Sequence, residues 1–143
     1  MQELTIPTST QPFFTATLPL PPGINASYGI GRKLIATQKL QQFKHDAARM
    51  MCSAYRDYEL INRIRFACAV KPYHHTPLRM DIHFYFSSMW KRDVDGGIKA
   101  VIDAVFDNLE MNDNLVVALY TTKQVDKEQP HVDVSVRCCV GGY

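Results

Sequence analysis

The stretch from Trp90 to Tyr120, WKRDVDGGIKAVIDAVFDNLEMNDNLVVALY, decides how this chain folds. Apolar residues recur in its middle at intervals of three and four, which predicts an amphipathic helix over 98–109 with Asp95 as its N-cap. A strongly alternating segment precedes the helix, and a β-rich segment predicted as a strand over 115–122 follows it. Acidic residues therefore stand at both ends of the predicted helix.

Three of these acidic residues suggest a metal site. Asp93 and Asp95 precede the helix and Asp113 follows it, and we expect the returning strand to bring Asp113 beside the other two. Carboxylates that converge repel one another unless a cation lies between them. Hard oxygen ligands suit Mg²⁺, with Mn²⁺ as the other candidate. Mg²⁺ usually also binds substrate phosphates, so the pattern predicts a phosphate-bearing substrate and a metal-activated water.

Two further charged residues lie within the predicted helix. Lys99 and Asp103 are one turn apart at the border of the apolar stripe, where we expect them to be half-buried, and Asp107 lies a turn further toward solvent. Lys99 could neutralise charge that develops on a phosphate. Taken singly, such an Asp is most often a helix cap and such a Lys is most often solvated. The whole set favours a metal-dependent site.

Two segments carry a resemblance to a known family. Residues 93–104 and 112–116 resemble the RusA family of Holliday junction resolvases, whose signature reads Asp-x-Asp-Asn-x-x-Lys-x-x-x-Asp-Ala-Leu and then Asp-Asp-x-Gln-Val or Ile. The sequence LPLPPGINASY over 18–28 is similar to that family's Leu-Pro-x-Pro-Pro-Ser-x-Asn-x-x-Tyr. Order and spacing agree between the two segments.

The resemblance implies roles for individual residues. Asp93, Asp95 and Asp113 fall on the metal-binding aspartates, and Lys99 falls on the catalytic lysine. Asp103 falls on the later helix aspartate, which would orient Lys99 or help to bind metal. The implied protein is a Mg²⁺-dependent endonuclease that cuts opposed strands of a four-way DNA junction as a homodimer. Candidate contacts to DNA phosphates are Lys91, Arg92, Asn25, Tyr28, Arg32 and Lys33.

Other interpretations remain open beside the nuclease. Gly96, Asn112 and Leu115 depart from the signature, which favours a catalytically inert DNA-binding dimer that has kept the fold. An aspartate-based phosphatase would also place Asp93 after a strand, but it needs a much larger downstream domain. An EF-hand loop starting at Asp93 fails because its twelfth position is Ala104, where that motif needs Glu.

Composition and length bound the domain organisation. The 143 residues, 46% of them hydrophobic, predict a flexible leader over 1–12 and one domain over 13–143. The absence of a long apolar run and of a signal pattern predicts a cytoplasmic protein with no membrane contact. Nothing indicates a small-molecule cofactor beyond the metal. The net charge of +2 hides a basic half, with ten Lys and Arg against three acidic residues over 23–79, which favours a nucleic-acid partner.

The remaining segments predict the rest of the fold. Strands are expected over 13–18, 78–86 and 131–138, and a helix from Thr37 to about Asp57, while 63–70 is ambiguous between strand and helix. The cysteines lie in apolar segments, so we expect buried thiols without disulfides or zinc. His74 and His75 are interpreted as loop residues. This order of elements predicts a small mixed α/β (α+β) domain with a mixed sheet and helices packed on one face.

Overall fold

A five-stranded sheet organises the described part of the molecule. The structure, a computed structural model, describes residues 11–23, 38–70, 76–89 and 96–139. The strands are β1 Phe14–Leu18, β2 Tyr55–Arg56, β3 Leu78–Phe86, β4 Val116–Val125 and β5 His131–Cys138. They lie in the order β2-β1-β5-β3-β4, in which β3 and β4 are parallel and the other neighbouring pairs are antiparallel. The prediction of a mixed α+β fold is confirmed.

The helices α1 Gln38–Met50, α2 Tyr58–Val70 and α3 Ile98–Leu109 cover one face of this sheet. Side chains alternate along β3 and β5, so that every second residue enters the core, as Met80, Phe84 and Val134 do. Buried residues from all three helices belong to the same core cluster. The opposite face of the sheet, called the open face below, carries the intervening polar side chains. Helix packing on one face is therefore confirmed.

The unit β3-α3-β4 fixes the geometry of the candidate site. Because β3 and β4 are parallel, α3 must carry the chain back along the sheet before β4 begins. Val116 at the start of β4 pairs with Leu78 at the start of β3, and Val125 pairs with Phe86 at their ends. The two ends of α3 therefore lie toward opposite ends of these strands.

Several predicted boundaries were wrong. The helix expected to reach Asp57 ends at Met50, because a 3-10 turn over Met51–Ser53 redirects the chain and Arg56 then pairs with Phe14 of β1. The ambiguous segment belongs to helix α2. β4 extends to Val125, three residues beyond the predicted end, and begins after a 3-10 turn over Asp113–Leu115.

The cysteines only partly match their prediction. All four thiols are free, but Cys52 is exposed while Cys138 is buried. Burial raises the pKa of the Cys138 thiol, and the neighbouring Cys139 raises it further. His74 and His75 lie outside the described residues, as does Thr37. No helix in the described ranges is both long and apolar enough to cross a membrane.

Candidate nuclease site

The N-terminus of α3 is where the two sequence motifs meet. Gly97 is the N-cap residue, so the prediction of Asp95 in that role was wrong, and no side chain caps the helix there. A Cβ atom built on Gly97 would collide with the ring of Pro21 and come within 3.3 Å of Phe84 Cε1. With φ at −125°, the backbone suits any residue, so close packing is what requires glycine here. Pro21, which belongs to the motif over 18–28, thus packs directly against the motif over 93–104.

Lys99 and Asp103 follow on the outer side of α3. The helix turns Ala100, Val101 and Ala104 into the core, which leaves Lys99 exposed and Asp103 half-buried. The expectation for Asp103 is confirmed, whereas Lys99 is more exposed than predicted. Asp107 is exposed as expected. The residues lie at i, i+4 and i+8, so all three share one side of the helix.

Asp113 is presented by a capped turn. Helix α3 is followed by its C-cap residue Glu110, which adopts a left-handed conformation with φ 55° and donates its N–H to carbonyls of the last turn. The side chain of Asn112 then accepts a hydrogen bond of 3.0 Å from the N–H of Asn114. Asp113 is held in the first position of this 3-10 turn with its side chain exposed. The departure at Asn112 therefore preserves capping, because Asn and Asp both supply the accepting oxygen.

Two arginines, Arg56 of β2 and Arg65 of α2, anchor the C-terminal end of α3. Arg65 of α2 donates two hydrogen bonds to the carbonyl of Leu109, one of them 2.8 Å long. Arg56 donates to the side chain of Asn108 and, over 2.9 Å, to the carbonyl of Met51. Cations at this position complement the negative end of the helix dipole. Sequence reasoning missed both arginines, because no local signal joins them to a helix more than forty residues away.

The carboxylates of the site lack described cation partners. Within the ranges described, no ion pair involves Asp103 or Asp113, and no three metal-ligating side chains come together. Two of the three predicted ligands, Asp93 and Asp95, lie outside those ranges. Their convergence with Asp113 therefore stays a prediction. Carboxylates without a protein cation are chemically suited to a hard divalent ion.

The predicted DNA contacts also lie outside the described residues: Lys91, Arg92, Asn25, Tyr28, Arg32 and Lys33. A shallow cleft of about 330 Å³ adjoins the motif over 18–28 and is lined by Pro21, Pro22, Lys39, Gln42 and Asp46 among others. A larger cavity of about 650 Å³ lies across β1 and β5, where its lining includes Thr17, His83 and Asp133. No residue of α3 lines this larger cavity, so volume alone does not identify the site.

Comparison with known proteins gives one informative match. The family model described as Endodeoxyribonuclease RusA matches residues 21–137. The comparison with curated proteins found no significant match. Among solved structures, 2C-methyl-D-erythritol 2,4-cyclodiphosphate synthase from Plasmodium vivax aligns at 10% identity and TM-score 0.29, over 87% of this chain and 90% of that one. A CDP-bound form of such a synthase aligns at 9% identity and TM-score 0.31, over 90% of this chain and 99% of that one. Likeness this weak carries no functional argument.

Proposed function

Since this chain belongs to the endodeoxyribonuclease RusA family, we propose that it resolves Holliday junctions by paired hydrolysis of phosphodiester bonds, using Mg²⁺. The observation that carries the proposal is the extent of the family match, which spans residues 21–137 and so includes every predicted metal and catalytic residue. Such a nuclease would act in the cytoplasm during DNA recombination and repair, as a homodimer with two equivalent sites.

The proposed roles follow from the chemistry of the side chains. Asp93, Asp95 and Asp113 would hold the divalent ion. When bound, that ion supplies electrophilic stabilisation of the phosphodiester and activation of the attacking water. The exposed Asp113 carboxylate and its lack of a described cation partner are compatible with this role.

Lys99 and Asp103 would act on charge rather than on the metal. The Lys99 ammonium would neutralise negative charge that grows on the phosphate in the transition state. Asp103, one helical turn away, would keep that ammonium charged and oriented, or would add a metal ligand. Lys91 and Arg92 would hold the flanking phosphate. These contacts carry no base information, so junction shape would govern binding.

A cleavage assay on a synthetic four-way junction tests the proposal. Wild-type protein with Mg²⁺ is expected to introduce paired cuts in opposed strands, and protein with a chelator is expected to introduce none. Asp95→Asn should abolish cutting while junction binding, read by gel shift, stays within about twofold. Cutting that persists in the chelator, or undiminished in Asp95→Asn, would refute the metal mechanism.

A further inference from the structure

The predicted metal ligands Asp93 and Asp95 belong to a short segment, 90–95, whose flanking residues the structure describes. Met89 precedes the segment, and Gly97, the N-cap residue of α3, closely follows it. Six residues span at most about 20 Å, so the positions open to them depend on where the two ends are held. Contacts at Met89 and at Gly97 therefore bear on both carboxylates.

Close packing holds the downstream end of this segment at Gly97. The ring of Pro21 would collide with a Cβ atom there, and Phe84 Cε1 of β3 lies 3.3 Å from the same position. The carbonyl of Gly97 accepts a hydrogen bond of 3.1 Å from the N–H of Val101. The sheet, the helix and the motif over 18–28 thus fix this end together.

A lysine of β4 holds the upstream end. The Lys123 ammonium donates a hydrogen bond of 3.0 Å to the main-chain carbonyl of Met89. A charged donor makes such a bond stronger than a neutral donor does. The two residues lie 34 positions apart in sequence, so it is the pairing of β3 with β4 that brings them together.

The backbone of Lys123 is itself held in place. Lys123 pairs with Phe84 in the parallel β3/β4 ladder, so its half-buried side chain lies on the helix-covered face of the sheet. Beyond it, the N–H of Asp126 donates to the carbonyl of Phe86 over 2.8 Å and closes the ends of the two strands. Because the ring of Phe84 packs beside Gly97, this one ladder position supplies contacts to both ends of the segment 90–95.

We propose that Lys123 is a positioning residue for the metal site. By holding the Met89 carbonyl, it fixes the start of the segment that carries Asp93 and Asp95 and so limits the positions that the two carboxylates can take. This role rests on the proposed function, since the metal role of the aspartates is what requires a fixed approach. Residues that support metal ligands without touching the ion commonly contribute about 10- to 100-fold to metal affinity. Lys123 acts through the main chain, so we expect the lower end of that range.

Two other roles for a lysine at this position lead to different predictions. An ammonium that contacts a DNA phosphate would contribute to junction affinity and to its salt dependence, but not to metal affinity in the absence of DNA. An ammonium that acts only through its charge would repel the cation, so its removal would tighten metal binding. Positioning alone predicts that removal weakens metal binding by the free protein.

Binding of Mn²⁺ to the DNA-free protein, followed by electron paramagnetic resonance of the unbound ion, tests the proposal. Lys123→Met keeps an unbranched side chain without the ammonium and should raise the Mn²⁺ dissociation constant about 10-fold. Lys123→Arg retains a charged donor and should stay within about threefold of wild type. Asp95→Asn, which removes a predicted ligand, should abolish the binding and so identifies the measured ion with this site.

Two control variants separate the contact from the charge and from the neighbouring side chain. Lys127→Met removes the same charge from an exposed lysine in the connection between β4 and β5. Met89→Ala changes the side chain but keeps the carbonyl that Lys123 contacts. Both should bind Mn²⁺ like wild type, and the melting temperature of each variant checks its folding. If Lys123→Met does not fold, Lys123→Gln, which keeps an uncharged donor, should give a dissociation constant between those of wild type and Asp95→Asn.

The possible outcomes distinguish this proposal from the proposed function. Unchanged or tighter Mn²⁺ binding in Lys123→Met overturns the positioning role, and so does a loss of junction affinity, read by gel shift, without a change in Mn²⁺ affinity. If wild type binds no Mn²⁺, the positioning role falls with the metal site. If wild type binds Mn²⁺ more tightly than Lys123→Met does but cuts no four-way junction, the nuclease proposal fails while the positioning role stands.

Discussion

Two carboxylate regions of this molecule are built in opposite ways. Asp81 on the open face is only 7% exposed, and its oxygens face Arg79 Nε at 2.7 Å and Arg137 Nη2 at 3.7 Å. Asp113 stands exposed on a capped turn and has no ion pair within the described part of the chain. The fold supplies cations for the first carboxylate and leaves the second to the solvent.

The difference separates a structural charge from one that is available to a ligand. The hydrogen bond from Arg79 to Asp81, and then the negative charge of Asp81, raise the pKa of the Arg79 guanidinium. The Asp81 carboxylate already has two cations of the protein beside it, so it needs no added ion. Asp113 has its backbone position fixed while its charge remains uncompensated by described groups. Such an arrangement costs little in water and can bind a cation with little reorganisation.

The largest expected effect comes from Asp113. Asp113→Asn keeps the shape of the side chain but removes its charge, so we expect cleavage of a four-way junction to fall at least about 100-fold, equivalent to roughly 3 kcal/mol in the barrier. The melting temperature should stay within about 2 °C, because the side chain is exposed. Asp107→Asn, an exposed aspartate on α3, is the control and should cut normally. Equal cutting by both variants would remove Asp113 from the site.

The second-largest effect is expected at Asp81, where substitution should lower stability and leave cleavage unchanged, the opposite of the result expected at Asp113. Asp81→Ala deprives Arg79 and Arg137 of their shared acceptor, so we expect the free energy of unfolding to fall by about 1–3 kcal/mol. Cleavage at a temperature where the variant remains folded should be unchanged. Glu59→Gln disturbs the exposed pair with Arg63 and should cost less than about 0.5 kcal/mol. Urea denaturation measures both, and equal losses would show that burial does not distinguish the two pairs.

Sequence predicted several elements of the fold, but not the contacts between distant elements. The alternation of 78–86 and the helical spacing of 98–109 predicted β3 and α3, because each buries a single face and its period records that face. The pairing of Asp81 with Arg137 could not be predicted, since Arg137 reaches it from β5, a strand more than fifty residues away. Helix α2 was missed because its apolar residues, including the exposed Phe66 and Val70, do not form one clean stripe.

The positions of the site residues could also be predicted only in part. Sequence placed Asp113 correctly after the helix, yet Gly97, not Asp95, occupies the N-cap. Spacing alone could not reveal that Pro21 packs on Gly97, because that contact depends on β1 lying beside β5 and β5 beside β3. Motifs therefore identified the chemistry, while tertiary contacts fixed its position.

The third prediction concerns the support of the turn that carries Asp113. Arg65→Ala removes the hydrogen bonds to the Leu109 carbonyl at the end of α3, so we expect a loss of about 1–2 kcal/mol in unfolding free energy. Arg63→Ala, on the exposed side of the same helix, should change stability by less than about 0.5 kcal/mol. If Arg65 also steadies the turn that bears Asp113, the Mg²⁺ concentration needed for half-maximal cleavage should rise in Arg65→Ala, and Arg65→Lys should partly restore it. An unchanged Mg²⁺ requirement would limit Arg65 to stability.

The smallest effect extends the contrast between buried and exposed groups to the cysteines. Burial, and then Cys139, raise the pKa of Cys138 above its ordinary value, so the folded state favours the neutral thiol. Its contribution to stability is complete below the unfolded pKa of about 8.5 and is lost as pH rises through the folded pKa. We therefore expect wild type to lose more unfolding free energy between pH 8 and pH 10 than Cys138→Val does, by less than about 1 kcal/mol. Cys52→Ser is the control, because Cys52 is exposed, and it should follow wild type. A Cys138→Val profile that matches wild type across this range would show that the Cys138 thiol does not link stability to pH.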